Sequence, residues 1–269
     1  LADESKRIAL IGYGAMARSL QASLLRSEAG VAVAAVLVPA EFAPPASEIA
    51  GLELFHDVAD LVAWRPSLVV ECASHDAVRD FVPTLLRNGI DTIIVSTGSL
   101  ADKSLFDDLE VAAKVGRCRL TVVSGAIGGL DVLRSARSAG LSKVAYTGIK
   151  PPIAWAGTPA ADRMDLAALL EPTVIFEGNA RQAAQLYPKN ANVTAAVALA
   201  GVGFDATSVA LLADPGTATN GHRVEATGAF GSFSIELQNQ PLPDNPKTSW
   251  LAALSIQEAI VRHFSSVVV

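Results

Sequence analysis

The sequence predicts an α/β chain in two parts: a doubly wound parallel sheet first, then a second α/β (α+β) unit carrying a mixed or antiparallel sheet. Three observations predict this. The apolar run Arg7-Ile-Ala-Leu-Ile-Gly12 passes directly into a helical pattern with apolar Ala17, Leu20, Leu24 and Leu25, which reads as strand, tight turn, helix. Up to about residue 124, apolar β-rich runs alternate with helical patterns at intervals of roughly 20 to 30 residues, the signature of βαβ units. From the small-residue loop Ser124-Gly-Ala-Ile-Gly-Gly129 onward the character changes, and strands of alternating polarity take over.

Each element has its own local signal. Val31–Val38 is a nearly continuous apolar run, as expected of a strand covered on both faces, and Pro39 ends it. Short pieces follow at 54–55 (strand) and 58–63 (helix), then a buried strand over 67–73 whose end carries Glu71, Ser74 and His75. The spacing of Val78, Phe81, Val82, Leu85 and Leu86 predicts a helix over 76–87, kinked by Pro83 or beginning near it. A strand over 91–95, a helix over 102–115 and a strand over 118–124 complete the first part. In the second, helices are expected at 130–139 and from 178 to 187, then a turn and a second helix within 188–200, with a short one inside 153–170. Strands are expected at 144–150, 174–176, 205–213, 222–228 and 230–238, and an amphipathic helix at 248–264. The division is therefore 1–124 for dinucleotide binding and 125–245 for substrate binding and dimerisation, with the C-terminal helical segment 246–269 folding back on the first part.

The opening turn has a mechanism for holding a dinucleotide, which makes the first part Rossmann-type. Gly12 permits the turn, Gly14 lets backbone approach a pyrophosphate, and small Ala17 lets helix and strand lie close. With Ala15 and Met16, these residues form the helix N-terminus that faces the phosphates. An NAD site usually has an acid at the end of the second strand to bind the ribose hydroxyls. Here Val38 and Pro39 stand in that place, Glu41 is the nearest acid, and no arginine waits for a 2′-phosphate, so NAD and NADP both remain open.

Bulk properties exclude several classes. Net charge is −6 without any Lys/Arg run, which argues against nucleic-acid and anionic-membrane partners. Charged residues make up only 18% and apolar residues 51%, so some surface is expected to be covered by another subunit. Cys72 and Cys118 belong to no metal-ligand spacing, and the four histidines are scattered, so no metal site is expected. No signal peptide is read at the start, and the apolar stretch 193–213 is broken by Gly201, Gly203 and Asp205. A cytoplasmic setting with reduced thiols is expected. There is no serine elbow and no phosphate-loop lysine.

Candidate chemical residues follow from type and position. His222 comes after Thr219-Asn-Gly221 at a strand start and titrates near neutrality, so it can move a proton, although a lone histidine there is more often structural. Lys189, Asn190, Asn192 and Thr194 form a polar strip before an apolar helix, suited to capping and to ligand bonds alike. Ser74, Ser96, Thr97 and Gly98 stand at strand ends, where such sheets bind cofactors, and His75 lies beside them. His56 and His263 read as structural or exposed.

The strings Val123-Ser-Gly-Ala-Ile-Gly-Gly-Leu-Asp131, Leu186-Tyr-Pro-Lys-Asn-Ala-Asn-Val-Thr-Ala-Ala-Val-Ala-Leu-Ala200, Gly221-His-Arg-Val-Glu-Ala-Thr-Gly-Ala-Phe-Gly231 and Asn245-Pro-Lys-Thr-Ser249 are far more restrictive than the glycine turn. On them, over almost its whole length, the chain resembles the L-aspartate dehydrogenase family. The resemblance implies a homodimer that converts L-aspartate and NAD(P)+ to iminoaspartate, and thence to oxaloacetate and ammonia, feeding pyridine nucleotide biosynthesis. It also implies a catalytic role for His222 and cofactor contacts at Ala126, through its backbone, and at Asn192. Substrate carboxylates are expected on Lys189, Asn190, Thr194 and the backbone near Gly128 and Gly129. The competing expectations are a homoserine or dihydrodipicolinate enzyme of the same plan, and a nucleotide-binding sensor without turnover.

Overall fold

The computed structural model describes residues 6–27, 30–242 and 245–268, without the side chains of residues 189 and 245–247. It divides into two units, one running up to Val123 and resuming at Ala253, the other spanning Ser124–Ala252.

In the first unit β1 (Arg7–Ile11), α1 (Ala15–Arg26), β2 (Ala32–Leu37), β3 (Glu53–Phe55), α2 (Val58–Trp64), β4 (Leu68–Glu71), α3 (His75–Arg87), β5 (Thr92–Ile94), α4 (Lys103–Gly116) and β6 (Leu120–Val122) alternate along the chain. The six strands pair in the order β3-β2-β1-β4-β5-β6, all parallel. Successive strands run outward from β1 in both directions, so the turn after β1 sits at the topological switch point, where such sheets bind ligands. Leu10, Val36, Leu68 and Val70 are buried in the core, and Ile256, Ala259 and Ile260 of the C-terminal helix pack into the same cluster as Leu20 and Leu24 of α1. Pro83 lies well inside α3 and not in its first turn, removing one bond of the helical ladder without ending the helix.

The second unit carries α5 (Leu130–Arg137), β7 (Leu141–Lys150), β8 (Thr173–Asn179), α6 (Ala180–Leu186), α7 (Ala191–Ala200), β9 (Ser208–Ala213), β10 (Asn220–Gly228) and β11 (Gly231–Asn239). A small hairpin of β12 (Pro241–Leu242) and β13 (Asn245–Ser249) leads to α8 (Trp250–Phe264). The sheet order is β11-β10-β7-β9-β8, with β7 and β9 parallel and every other pair antiparallel, a mixed sheet. The strands at 205–213 and 222–228 are therefore not neighbours, because the long β7 lies between them.

Three local expectations are corrected. Gly178 and Asn179 end β8 and do not begin a helix, because Asn179 caps α6 in a reciprocal box with Gln182. Residues 153–170 form 3₁₀ turns at Pro152–Trp155 and Leu166–Ala168 in place of a short helix. Thr248 and Ser249 pair in the hairpin, so the last helix starts at Trp250. Among the described residues no helix is long and apolar enough to cross a membrane.

Candidate active site

In the first unit the turn after β1 is built for close approach. Gly12 has φ +83°, and a Cβ there would lie 2.7 Å from the Ala73 Cβ, so both backbone conformation and packing demand glycine. Gly14 is different. It is extended, at φ −78° and ψ −170°, and a Cβ on it would meet nothing within 4 Å. Nothing within the fold explains that glycine, whereas a ligand lying against the turn does. No side chain caps α1 and its first turn carries no acid, which leaves the positive helix end to an anion. Ala17 is fully buried against the sheet, while Ala15 and Met16 occupy the first turn beside it. A cavity of about 630 Å³ opens here, lined by Gly12, Gly14, Pro39, Phe42 and Ser74, and its charged lining residues are Glu41, Asp76 and Asp80. The pyrophosphate of a dinucleotide fits this arrangement.

Ser74 lines the cavity and caps α3 by accepting from the Ala77 N–H at 3.2 Å. Ser96 has another duty: its N–H and hydroxyl both donate to Glu71, at 2.9 and 2.8 Å. Glu71 is wholly buried, and burial raises its carboxyl pKa against the bonds it accepts from Ser96, Ala73 and Val95. This knot ties the ends of β4 and β5 together, so Ser96 shapes the strand terminus. Thr97 and Gly98 are buried in the following 3₁₀ turn. His75 opens α3, His56 Nδ1 lies 2.7 Å from the Val38 carbonyl, and part-buried His263 lies 3.8 Å from Asp91. Cys72 and Cys118 are free thiols.

The polar cluster of the second unit lies on one face of its mixed sheet. Strand alternation turns Val144, Tyr146, Gly148 and Lys150 of β7 to the same side. From β10 come Asn220, His222 and Val224, all buried, with His222 opposite Gly148. Tyr146 Oη stands 2.8 Å from His222 Nδ1. A Cβ at Gly148 would come within 2.9 Å of that hydroxyl, so this glycine is what lets the tyrosine reach the imidazole. His222 is not at an element edge: it lies within β10, between β7 and β11, and is 3% exposed. Its Nε2, Thr194 Oγ1 and Asn220 Nδ2 are buried without a hydrogen-bond partner. Unpaired buried polar atoms cost free energy in the fold, and three in one unit point to a ligand that satisfies them.

The remaining candidates of the second unit lie at the start of α7 and in the loop before α5. Asn190 stands at the N-cap of α7 but caps nothing; its Oδ1 accepts from Lys150 Nζ at 2.9 Å. Asn192 is in the first turn of α7, and the side chain of Lys189 lies outside the described residues. The Ala126 carbonyl accepts from Asn239 Nδ2 at 2.7 Å, which fixes the loop before α5 on the end of β11. Gly129 has φ +74°, a backbone conformation that favours glycine, and lies beside the Ile235 side chain of β11; Gly128 lies beside Leu237. Tyr146, Lys150, Asn220 and Asn239 were not singled out from the sequence. The period-2 pattern of 144–150 carried the signal for the first two, since it puts a hydroxyl and an ammonium on the face that otherwise holds valine and glycine.

Electrostatics keep the imidazole neutral. Burial, and then the nearby Lys150 charge, lower the His222 pKa to about 3. Burial lowers Lys150 to about 8 and raises the Tyr146 phenol. Tyr146 can accept from Nδ1–H, and in that tautomer Nε2 presents a lone pair. Among the described residues no three His, Cys, Asp or Glu side chains converge on a metal position.

Two family models match the chain. The family model for the aspartate dehydrogenase C-terminal domain matches residues 131–263, and that for the NAD-binding domain of homoserine dehydrogenase matches residues 12–123. L-aspartate dehydrogenase of Cupriavidus necator is 47% identical over 94% of the chain and 96% of its own length. The Pseudomonas aeruginosa protein of the same name is 43% identical, over 95% and 97%. The crystal structure of aspartate dehydrogenase from Thermotoga maritima superposes with a TM-score of 0.78 at 28% identity, covering 98% of this chain and 99% of that one. A dihydrodipicolinate reductase from Paenisporosarcina shares the fold at a TM-score of 0.54 and 15% identity, over 95% and 94%. Identity at this level along nearly the full length of both chains makes the protein a member of the L-aspartate dehydrogenase family.

Proposed function

We propose that the protein catalyses the NAD(P)-dependent, reversible oxidative deamination of L-aspartate to iminoaspartate, which water converts to oxaloacetate and ammonia. The observation that carries this reading is the neutral, buried His222 with its free Nε2, in the unit that resembles the aspartate dehydrogenase C-terminal domain. The dinucleotide, when bound, supplies the acceptor for the hydride leaving the substrate Cα. Gly12, Gly14, Ala15, Met16 and Ala17 hold its pyrophosphate, with Ser74, the Ala126 backbone and Asn192 as further contacts.

His222 Nε2 takes a proton from the substrate ammonium and releases it to solvent before the hydrolytic half, in which it takes one from the water that attacks the imine carbon and returns it to the departing nitrogen. Tyr146 meanwhile accepts from Nδ1–H, so the protonated ring keeps a partner on that side. Thr194 and Asn220 offer a hydroxyl and an amide to the substrate, and Lys189, Asn190 and the backbone at Gly128 and Gly129 complete its surroundings. The family relation also supports a homodimer working in the cytoplasm in the supply of pyridine nucleotides.

The test is an initial-rate assay of oxaloacetate and ammonia with NADH and then with NADPH, run beside homoserine and dihydrodipicolinate. Turnover confined to the aspartate pair is expected, and replacing His222 with alanine should lower kcat at least about 100-fold. Equal turnover of homoserine, or full activity without His222, would overturn the reading.

A further inference from the structure

The second unit contains a cation that the proton chemistry above does not employ. Lys150 ends β7 on the face that carries Tyr146 and lies close enough to His222 for its charge to act on the ring. Its ammonium donates to a neutral amide oxygen, Asn190 Oδ1, at 2.9 Å and stands 5.7 Å from the Trp155 ring centroid. Among the described residues no ion pair includes it. Lysines drawn away from water are ordinarily matched by an acid. Here the acid is missing, although the chain carries 27 acidic residues against 21 basic ones.

Two further features point the same way. Gly221 pairs with Ile149 across the sheet, which puts Asn220 level with Lys150, and the Asn220 Nδ2 donor is buried without a partner. Asn190 meanwhile leaves α7 without a side-chain cap in order to hold the lysine. An ammonium and an unpaired amide N–H on one face call for an acceptor-only, anionic ligand.

We propose that the Lys150 ammonium, steadied by Asn190, anchors one carboxylate of a dicarboxylic substrate. This rests on the aspartate reading and names the group that would select a second carboxylate. It also ties binding to chemistry. A carboxylate on Lys150 offsets the charge that adds to burial in lowering the His222 pKa, so the imidazole becomes a better base when substrate is present.

Calorimetry on the full chain with saturating NAD tests this, with succinate as the dicarboxylate and butyrate as its monocarboxylate counterpart. The wild type should bind succinate at least about tenfold more tightly than butyrate, and that preference should fade as pH rises past about 8, where Lys150 loses its charge. Lys150→Met should bind the two alike while its NADH affinity, read by fluorescence, is unchanged. Asn190→Asp, which supplies Lys150 with an internal carboxylate, should also lose at least tenfold in succinate affinity, and it serves if the methionine variant does not fold. A wild type indifferent to the second carboxylate, or a folded variant of either kind within twofold of wild-type succinate affinity, would overturn the assignment. Absent turnover of oxaloacetate and ammonia by the wild type would instead overturn the aspartate reading, and the succinate measurements would still decide the role of Lys150.

Discussion

Two glycines two residues apart answer to different demands. Gly12 is required by its own backbone and by Ala73, so Gly12→Ala should destabilise the fold by about 1–3 kcal/mol through strain at a positive φ. Gly14→Val meets open space at an ordinary φ and should leave the melting temperature nearly unchanged while weakening NADH binding at least about tenfold. Thermal melts and fluorescence titrations of both variants separate the two roles; loss of stability in Gly14→Val with intact NADH affinity would contradict them. The Tyr146 hydroxyl acts on the imidazole from its Nδ1 side. Tyr146→Phe should lower kcat roughly 10- to 100-fold with little change in the KM for oxaloacetate, because the ring loses the partner that keeps Nε2 free to accept a proton. A change in KM alone would mean that Tyr146 only shapes the pocket.

At the scale of elements, the loop after β2 bears on the choice between NAD and NADP. Glu41 lies in the 3₁₀ turn Ala40–Phe42 and lines the cavity at the glycine turn together with Asp76 and Asp80 of α3. Three carboxylates and no cation disfavour a 2′-phosphate, so kcat/KM should favour NADH over NADPH at least about tenfold, and Glu41→Arg should narrow the ratio. Equal use of both cofactors by the wild type would remove the argument. The first unit was legible because its signals are local: a glycine turn and continuous apolar strands each read from a few neighbouring residues, whereas the caps at Asp57, Ser74 and Asp102 came only with the structure. The second unit was less so. Its strands were visible singly, but their order depends on pairings between distant segments, such as β7 with β9 and β10, that no local pattern encodes. His222 was found by position and by family resemblance. Lys150 and Tyr146 do not stand out in the sequence because their importance comes from what β10 and α7 bring to them, and the bond of Ser96 to Glu71 joins strand ends 25 residues apart that no local pattern links.

Over the molecule as a whole, burial shifts two groups in the second unit toward their neutral forms, His222 and Lys150, and both shifts should leave a mark on stability. The folded pKa of His222 is about 3, well below its ordinary value of 6.5. Between those values the unfolded chain binds a proton that the folded one does not, so stability falls as pH drops through this window. Lys150, lowered from 10.5 to about 8, acts at the other end. Below pH 8 the fold carries the full cost of its charge, and between about 8 and 10.5 that cost is relieved, so its contribution makes the protein more stable as pH rises. Other groups titrate over the same range, and the difference between wild type and Lys150→Met isolates this one. Denaturant unfolding should show the variant more stable than wild type at pH 7 by up to a few kcal/mol, with the gap closing by pH 10.5. Succinate should narrow the same gap at pH 7 by stabilising the wild type more than the variant, since a ligand adds stability according to its affinity for the folded state. A gap independent of pH would mean that packing around the lysine stem, and not its charge, distinguishes the two proteins.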